Sequence, residues 1–374
     1  MSLYLFFKAR PLFMEFGRAF FVLEMDTQLK ELIASPDGGR RLTAKDFARI
    51  ITDCGADDLA FAMDCANAKR KAQFGDEIYL RGLVEFTNYC RNDCLYCGIR
   101  RSNQQVERYR LSTEQIMECL EQGYSAGLRT LVLQGGEDAY FNDERMCAIV
   151  SEVKSRHRDI AVTLSIGERS RESYKRLREA GADRYLLRHE TAVEWHYAKL
   201  HPSSQTLANR MECLRTLKEL GYQVGCGMMV GSPFQTAECL AQDLAFIQEF
   251  KPQMVGIGPF IPHKATPFAH EKSGTVEQTL LMLSLVRLIH PKVLLPSTTA
   301  LATLHPEGRC RGILAGANVV MPNLSPLSVR GNYTLYDNKA NTGLEAVEGL
   351  AALERELSTI GCRISKCRGD APGF

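Results

Sequence analysis

Short β-rich apolar runs alternate with amphipathic helical stretches along this chain, and that alternation admits very few architectures. The runs are Ile78 to Phe86, Thr130 to Leu133, Ile160 to Ile166, Arg184 to Leu187, Val224 to Val230, Met254 to Ile257, Val293 to Leu295 and Asn318 to Met321. Between them, apolar residues recur at helical spacing through Thr113 to Ala126, Glu172 to Ala180, Leu207 to Leu220, Ala237 to Phe250 and Val276 to Leu288. Gly127, Gly181 and Gly221 stand where a left-handed residue closes a helix. Eight such βα units over roughly 250 residues predict an α/β fold, a (β/α)8 TIM-type barrel. An open doubly wound sheet is the alternative with the same alternation.

The flanks divide the chain of 374 residues further. Residues 1–24 read as a tail, 25–75 as an N-terminal helical segment with Asp26 and Thr43 as candidate caps, 76–338 as the barrel, and 339–374 as a C-terminal helix, Leu344 to Leu357, with a tail. The tail is apolar, but Lys8, Arg10, Glu15 and Arg18 cut it into runs too short for a signal segment or a membrane span. With 46 Lys+Arg against 44 Asp+Glu, the chain has no excess of basic charge for nucleic-acid binding. Thirteen cysteines, an odd number spread through a chain of this size, fit a reduced, cytoplasmic protein better than a disulfide scaffold.

In a barrel of this kind the chemistry belongs at the C-terminal ends of the strands, and the unusual residues lie there. Cys90, Cys94 and Cys97 follow the first strand with C-x3-C-x2-C spacing and an aromatic, Tyr96, directly before the last cysteine. Three thiolates on one loop suit a 4Fe-4S cube with one iron left open, a site for reactivity rather than electron carriage alone. A zinc knuckle is the structural alternative, but it needs a fourth ligand, and Cys119 and His157 are poorly placed to supply it. Cys65, Cys147 and Cys213 read as small buried hydrophobes, and His189 and His263 as hydrogen-bonded structural histidines. Arg188 with Thr298 and Thr299 converges from the ends of the fourth and seventh strands as a guanidinium fork and two hydroxyls, which favours an anionic ligand. The basic run Arg100, Arg101, Arg108 and Arg110 reads as a solvated loop, and Arg210, near Glu212 and Glu219, as a surface residue unless the site claims it.

The triad resembles that of the radical S-adenosylmethionine (SAM) superfamily, and the chain is most similar to the HydE family. These are the radical SAM maturases of the iron-iron hydrogenase, relatives of biotin synthase and methylornithine synthase. The resemblance spans about Gly82 to Asn338. It rests on Phe86 to Cys90, Cys97 to Arg101, Arg108 to Ser112, Leu133 to Asp138, Tyr185 to Thr191, Met254 to His263 and Gly316 to Pro322. It implies one 4Fe-4S cluster on Cys90, Cys94 and Cys97, with SAM at the open iron. Tyr96, Gln134, Gly135, Gly136, Glu137 and Ser165 would line the SAM site, with Gln134 to Glu137 at its amino group. Glu190 would meet the ribose or amino end, Arg210 the carboxylate, and Met229 and Met254 the sulfonium and adenine. Tyr336, like Tyr333, matches an aromatic position at the barrel mouth, on the substrate side with Arg188, Thr298 and Thr299.

The implied reaction is reductive cleavage of SAM to a 5′-deoxyadenosyl radical, with an external one-electron reductant as partner. The implied substrate is organometallic, a cysteine-bound iron carrying carbon monoxide and cyanide, handled alongside other hydrogenase maturation proteins. Many family members carry a second three-cysteine site, but its positions here are Asn341, Gly349 and Ala352, which predicts that a second cluster is lacking. A radical SAM enzyme acting on a small-molecule amino acid, and a non-catalytic iron-sulfur carrier, share the triad and remain alternatives.

Overall fold

The computed structural model describes residues 27–339 and 346–374. The expected tail 1–24, the cap at Asp26 and the first residues of the expected C-terminal helix lie outside the described residues.

The N-terminal helices are α1 (27–34), α2 (Ala44–Asp53) and α3 (Ala56–Phe74). Thr43 opens α2 with a capping box: its hydroxyl accepts from the Asp46 amide at 3.2 Å, and the Asp46 carboxylate accepts from the Thr43 amide at 2.9 Å. Strand and helix then alternate. β1 (Glu77–Leu80), β2 (Gly82–Thr87), α4 (Thr113–Ser125), β3 (Thr130–Gly135), α5 (Asp143–Arg156), β4 (Ala161–Ser165), α6 (Arg171–Glu179) and β5 (Arg184–Leu186) come first. After them run α7 (Glu194–Leu200), α8 (Leu207–Glu219), β6 (Gln223–Val230), α9 (Ala237–Phe250), β7 (Met254–Pro259) and α10 (Val276–Ile289). The chain ends with α11 (Thr299–Leu304), α12 (Gly308–Leu314), β8 (Val319–Val320), α13 (Leu327–Arg330), α14 (Ala346–Ser358) and β9 (Arg363–Ser365). Gly127, Gly181 and Gly221 take φ of +92°, +113° and +76° just past α4, α6 and α8, as expected.

β2 to β7 form one parallel sheet in unbroken sequential order. Each crossover therefore steps to the next strand, which is the winding of a barrel; an open doubly wound sheet reverses its order partway. Isolated parallel bridges Met254 to Leu294, Pro296 to Val319 and Leu83 to Asn323 carry the pairing from β7 back to β2. The expected seventh strand, Val293 to Leu295, is thus reduced to isolated bridges. Pro296 has no amide hydrogen to extend a ladder, and the Leu295 amide donates to Asn318 Oδ1 at 2.9 Å. The expected first strand is also divided, at Arg81: β2 pairs with β3, whereas β1 pairs with β8 and with β9, a strand the sequence pattern did not mark.

Beyond β9 the chain closes the barrel floor. The Arg368 carbonyl accepts from Thr130 Oγ1 (2.7 Å) and Arg184 Nη2 (3.0 Å), and Asp370 accepts from Arg184 (2.7 Å) and Gln223 (2.8 Å). Thr130, Arg184 and Gln223 open β3, β5 and β6, so only the opposite, C-terminal mouth is left for a ligand. Outside, α3 packs on α10 and α2 on α9. Covered by α3 and backed by the sheet, α10 is buried without interruption from Thr279 to Leu288, which explains a helix apolar all round. Among the described residues no helix is long and apolar enough to cross a membrane. Every cysteine is unpaired.

Candidate metal and cofactor centre

The register between β2 and β3 shifts between Glu85 and Thr87, and this irregularity turns the chain into the cysteine loop at the mouth. Asn88, fully buried, pins the loop's two ends: Nδ2 donates to the carbonyls of Glu107 (2.7 Å) and Asn332 (2.8 Å), and Oδ1 accepts from the Tyr109 amide (2.8 Å). The Arg108 guanidinium donates to the carbonyls of Asn88, Ile99, Arg100 and Asn103. Arg100 pairs with Asp93 at 2.7 Å, and Arg110 grips Asp138 with two bonds of 2.7 and 2.9 Å. The reading of this basic run as solvated therefore holds for Arg101 and for Arg110, both exposed, although Arg110 is tied to Asp138. A tight loop turns its carbonyls inward, and the arginines satisfy them.

Two glycines let neighbouring segments close on the triad. A Cβ at Gly136 would lie 2.2 Å from the Tyr89 carbonyl oxygen and 2.7 Å from Cys90 Cβ; one at Gly98 would lie 2.1 Å from the Thr334 oxygen. Burial pushes the thiols up, Cys97 to about 12, and Cys97 and Cys90 raise Cys94 further, so the three sulfurs are close enough to oppose one another's charge. Thiols held this way are poor free nucleophiles, and cationic metal is what makes such groups thiolates. Among the described residues no three His, Cys, Asp or Glu side chains converge as a single-ion site. Three mutually influencing thiols on separate positions of one loop fit a cluster whose irons each take one sulfur.

Around this loop the strand ends bring together most of the expected cofactor residues. The Tyr96 hydroxyl lies 3.2 Å from His201 Nε2. His201 Nδ1 faces the Tyr197 carbonyl at 3.0 Å and must donate to it, so Nε2 accepts the Tyr96 proton. Tyr96 also packs against the apolar cluster of Leu200, Met229, Phe260 and Phe268. Gln134 and Ser165 are register partners at the ends of β3 and β4, and Gly135 ends β3 beside Thr87. The Glu137 carboxylate is already engaged by Arg91 Nε and the Glu168 amide, each at 2.9 Å. Glu190, buried with a left-handed φ of +65°, is held to β6 by its amide bond to the Gly227 carbonyl. Arg210 is buried, not a surface residue: it donates from Nε to Glu168 and from Nη1 to the Arg188 carbonyl, both at 2.5 Å. Met254 is the exception. It begins β7 rather than ending it and lies toward the floor, its sulfur 3.1 Å from Arg81 Nη1.

Below the mouth lie polar groups without hydrogen-bond partners. Arg188 Nη2 is 2.9 Å from Glu190 Oε2, but the pair is not aligned as a hydrogen bond, and both atoms, with Arg188 Nε and Thr298 Oγ1, are buried and unsatisfied. Thr299 opens α11 behind Thr298, and its carbonyl accepts from Thr303 Oγ1 at 3.0 Å. Burial raises the Tyr336 phenol to about 12, and Tyr336 neighbours Thr303 and Arg188. Tyr336 lies in the strap 332–339, tied down by bonds from the Gly98 amide to Leu335 and from the Asp337 amide to Pro262. His189 and His263 are buried, and accept from the amides of Gly227 and Ala265.

Sequence reasoning missed His201, Gln205 and the Lys339–Glu85 pair. All lie far in sequence from the residues they touch, and no local pattern marks them.

A parallel barrel with a three-cysteine loop at its mouth defines a radical SAM enzyme, and residues 84–247 match the radical SAM superfamily, the class that works with a 4Fe-4S cluster and SAM. The [FeFe] hydrogenase maturase subunit HydE of Thermotoga maritima is 44% identical over 325 residues, 86% of this chain and 89% of that protein. The chain belongs to the HydE family. The 3-methylornithine synthase of Methanosarcina acetivorans is 29% identical over 79% of this chain and 84% of its own length. The crystal structure of methylornithine synthase (PylB) superposes with a TM-score of 0.77 at 26% identity, covering 90% of this chain and 97% of that one.

Proposed function

We propose that this chain acts in maturation of an [FeFe] hydrogenase. Cys90, Cys94 and Cys97 hold a single 4Fe-4S cluster, SAM binds at the iron without a thiolate, and a small anionic or organometallic substrate lies deeper in the barrel. The observation that carries the reading is the combination of two features: three thiols on one mouth loop, and near them the buried atoms Arg188 Nε and Thr298 Oγ1, which lack hydrogen-bond partners. Held by these three thiolates, a reduced cluster would supply the single electron needed for reductive cleavage of SAM.

The chain's own residues bind, orient and exclude water. With the Glu137 carboxylate engaged by Arg91, Gln134, Gly135 and Gly136 are left to meet the SAM amino group, with Ser165 beside them. Arg210 sets a fixed positive charge opposite the SAM carboxylate, Glu190 meets the ribose, and Met229 offers a polarizable thioether to the sulfonium. Tyr96, its hydroxyl held by His201, presents an oriented ring to the adenine. Arg188, Thr298, Thr299 and Tyr336 hold the substrate, with Arg188 Nε gaining the hydrogen-bond partner it lacks. An external one-electron reductant and other maturation proteins are the partners this reading needs.

Anaerobic reconstitution tests it. The chain should take up about four irons, release 5′-deoxyadenosine from SAM under reduction, and restore hydrogenase activity in cells lacking their own HydE. Cluster binding that survives Cys94→Ala, or a chain that restores nothing while cleaving SAM, counts against the corresponding part.

A further inference from the structure

We infer that Gln205 is a tuning residue for the cluster, its side-chain amide donating an N–H bond to the Cys94 sulfur and so setting how readily the cluster accepts an electron. The inference rests on the reading of Cys94 as an iron ligand given above. Gln205 is only 8% exposed, and its Oε1 lies 3.2 Å from Cys94 Sγ. It sits in the connection 201–206 between α7 and α8, which is braced on every side. The Leu95 amide donates to the Leu200 carbonyl at 2.9 Å, and the Gln205 amide to Pro202 at 2.9 Å. His201 stacks on Tyr197 at 3.8 Å between ring centres and receives Tyr96, and Thr206 caps α8. The carboxamide is therefore held against the cysteine loop by its backbone, not by the sulfur alone.

A thiol has a hydrogen and donates it to Oε1, as here. An iron-bound sulfur has none and can only accept. The oxygen and nitrogen of a carboxamide have nearly the same shape, so a half-turn about its last bond puts Nε2–H where Oε1 now stands. The other two sulfurs differ in one respect. Cys90 Sγ accepts from the Asn92 amide at 3.4 Å and Cys97 from the Ile99 amide, backbone donors that substitution of their side chains leaves in place. Cys94 has a side-chain partner, so its bond can be removed by one substitution. Hydrogen bonds to cluster sulfurs favour the more negative, reduced state and raise the potential. Only the difference in bond strength between the two states moves the potential, so loss of the bond changes the reduced-to-oxidised ratio at a fixed poise by up to about tenfold, which for one electron is at most about 59 mV.

The test is an EPR-monitored redox titration of the reconstituted full chain without SAM, comparing the parent with Gln205→Leu and Gln205→Glu. Both variants should keep the parent's iron content and melting temperature, and both should need a more negative poise for half-reduction, Gln205→Glu at least as negative as Gln205→Leu because a carboxylate only accepts. Equal midpoints in all three iron-loaded proteins overturn the role of Gln205. A parent that binds no cluster overturns instead the reading on which it rests.

Discussion

A methyl group at position 136 would sit 2.2 Å from the Tyr89 carbonyl oxygen and 2.7 Å from Cys90 Cβ, and neither can retreat without moving the cysteine loop. Gly136→Ala is therefore expected to cost about 1–3 kcal/mol as overpacking and to lower the iron content after reconstitution; full iron loading would show that the loop yields freely. His201 gives a pH dependence. Burial, with the Arg210 charge, pulls its pKa from the usual 6.5 to about 3. The unfolded chain then takes up the proton first as pH falls, so the stability present above pH 6.5 is lost progressively toward pH 3, by about 2 kcal/mol at pH 5. Burial lowers His196, His263 and His290 in the same sense, while Asp370, whose pKa is lowered to about 2, loses its contribution only in stronger acid. His201→Gln should flatten the stability profile between pH 7 and pH 5 by that amount in chemical denaturation; an unchanged slope would argue against a neutral buried imidazole. At this scale the sequence showed Cys90, Cys94 and Cys97 because their spacing is local, but hid His201, whose partner Tyr96 is 105 residues away in the chain.

At the scale of the element, α8 was legible from end to end: an expected Leu207 to Leu220 became Leu207–Glu219. Its periodicity and its Thr206 cap are written in consecutive residues. Thr206→Ala removes the bond from the Asn209 amide at 3.2 Å and should cost about 1 kcal/mol, read as a lower melting temperature. Arg210 is one turn into this helix, and Arg210→Ala should weaken SAM binding at least tenfold in anaerobic titration; unchanged affinity removes it from the cofactor site. Which face α8 buries was not legible, because Arg210 finds its partner, Glu168, on the loop after β4. For the same reason Met254 was assigned to the mouth: an apolar residue in a strand does not announce which end of the barrel it will occupy.

The whole molecule depends on closing one end of the barrel so that the other can hold reactive groups. Arg184 is fully buried at the floor and pairs with Asp370 from the C-terminal segment, itself partly exposed. Asp370→Ala leaves that charge uncompensated and is expected to destabilise the chain by about 3 kcal/mol, measured by urea denaturation; a change within error would show that Thr130 and the Arg368 carbonyl suffice for Arg184. Neither β9 nor the floor it leads to follows from periodicity, since three residues make too short a run to mark a strand. The amino-acid sequence alone determined the alternating elements, the strand-end placement of the cysteine loop and the chain's resemblance to the HydE family, because all of these live in near neighbours and fixed spacings. Only the tertiary structure decided which charges are buried and paired, which polar groups stand unsatisfied beneath the loop, and which side chain reaches Cys94. Those depend on contacts between segments far apart in the chain, and close packing, not local pattern, selects them.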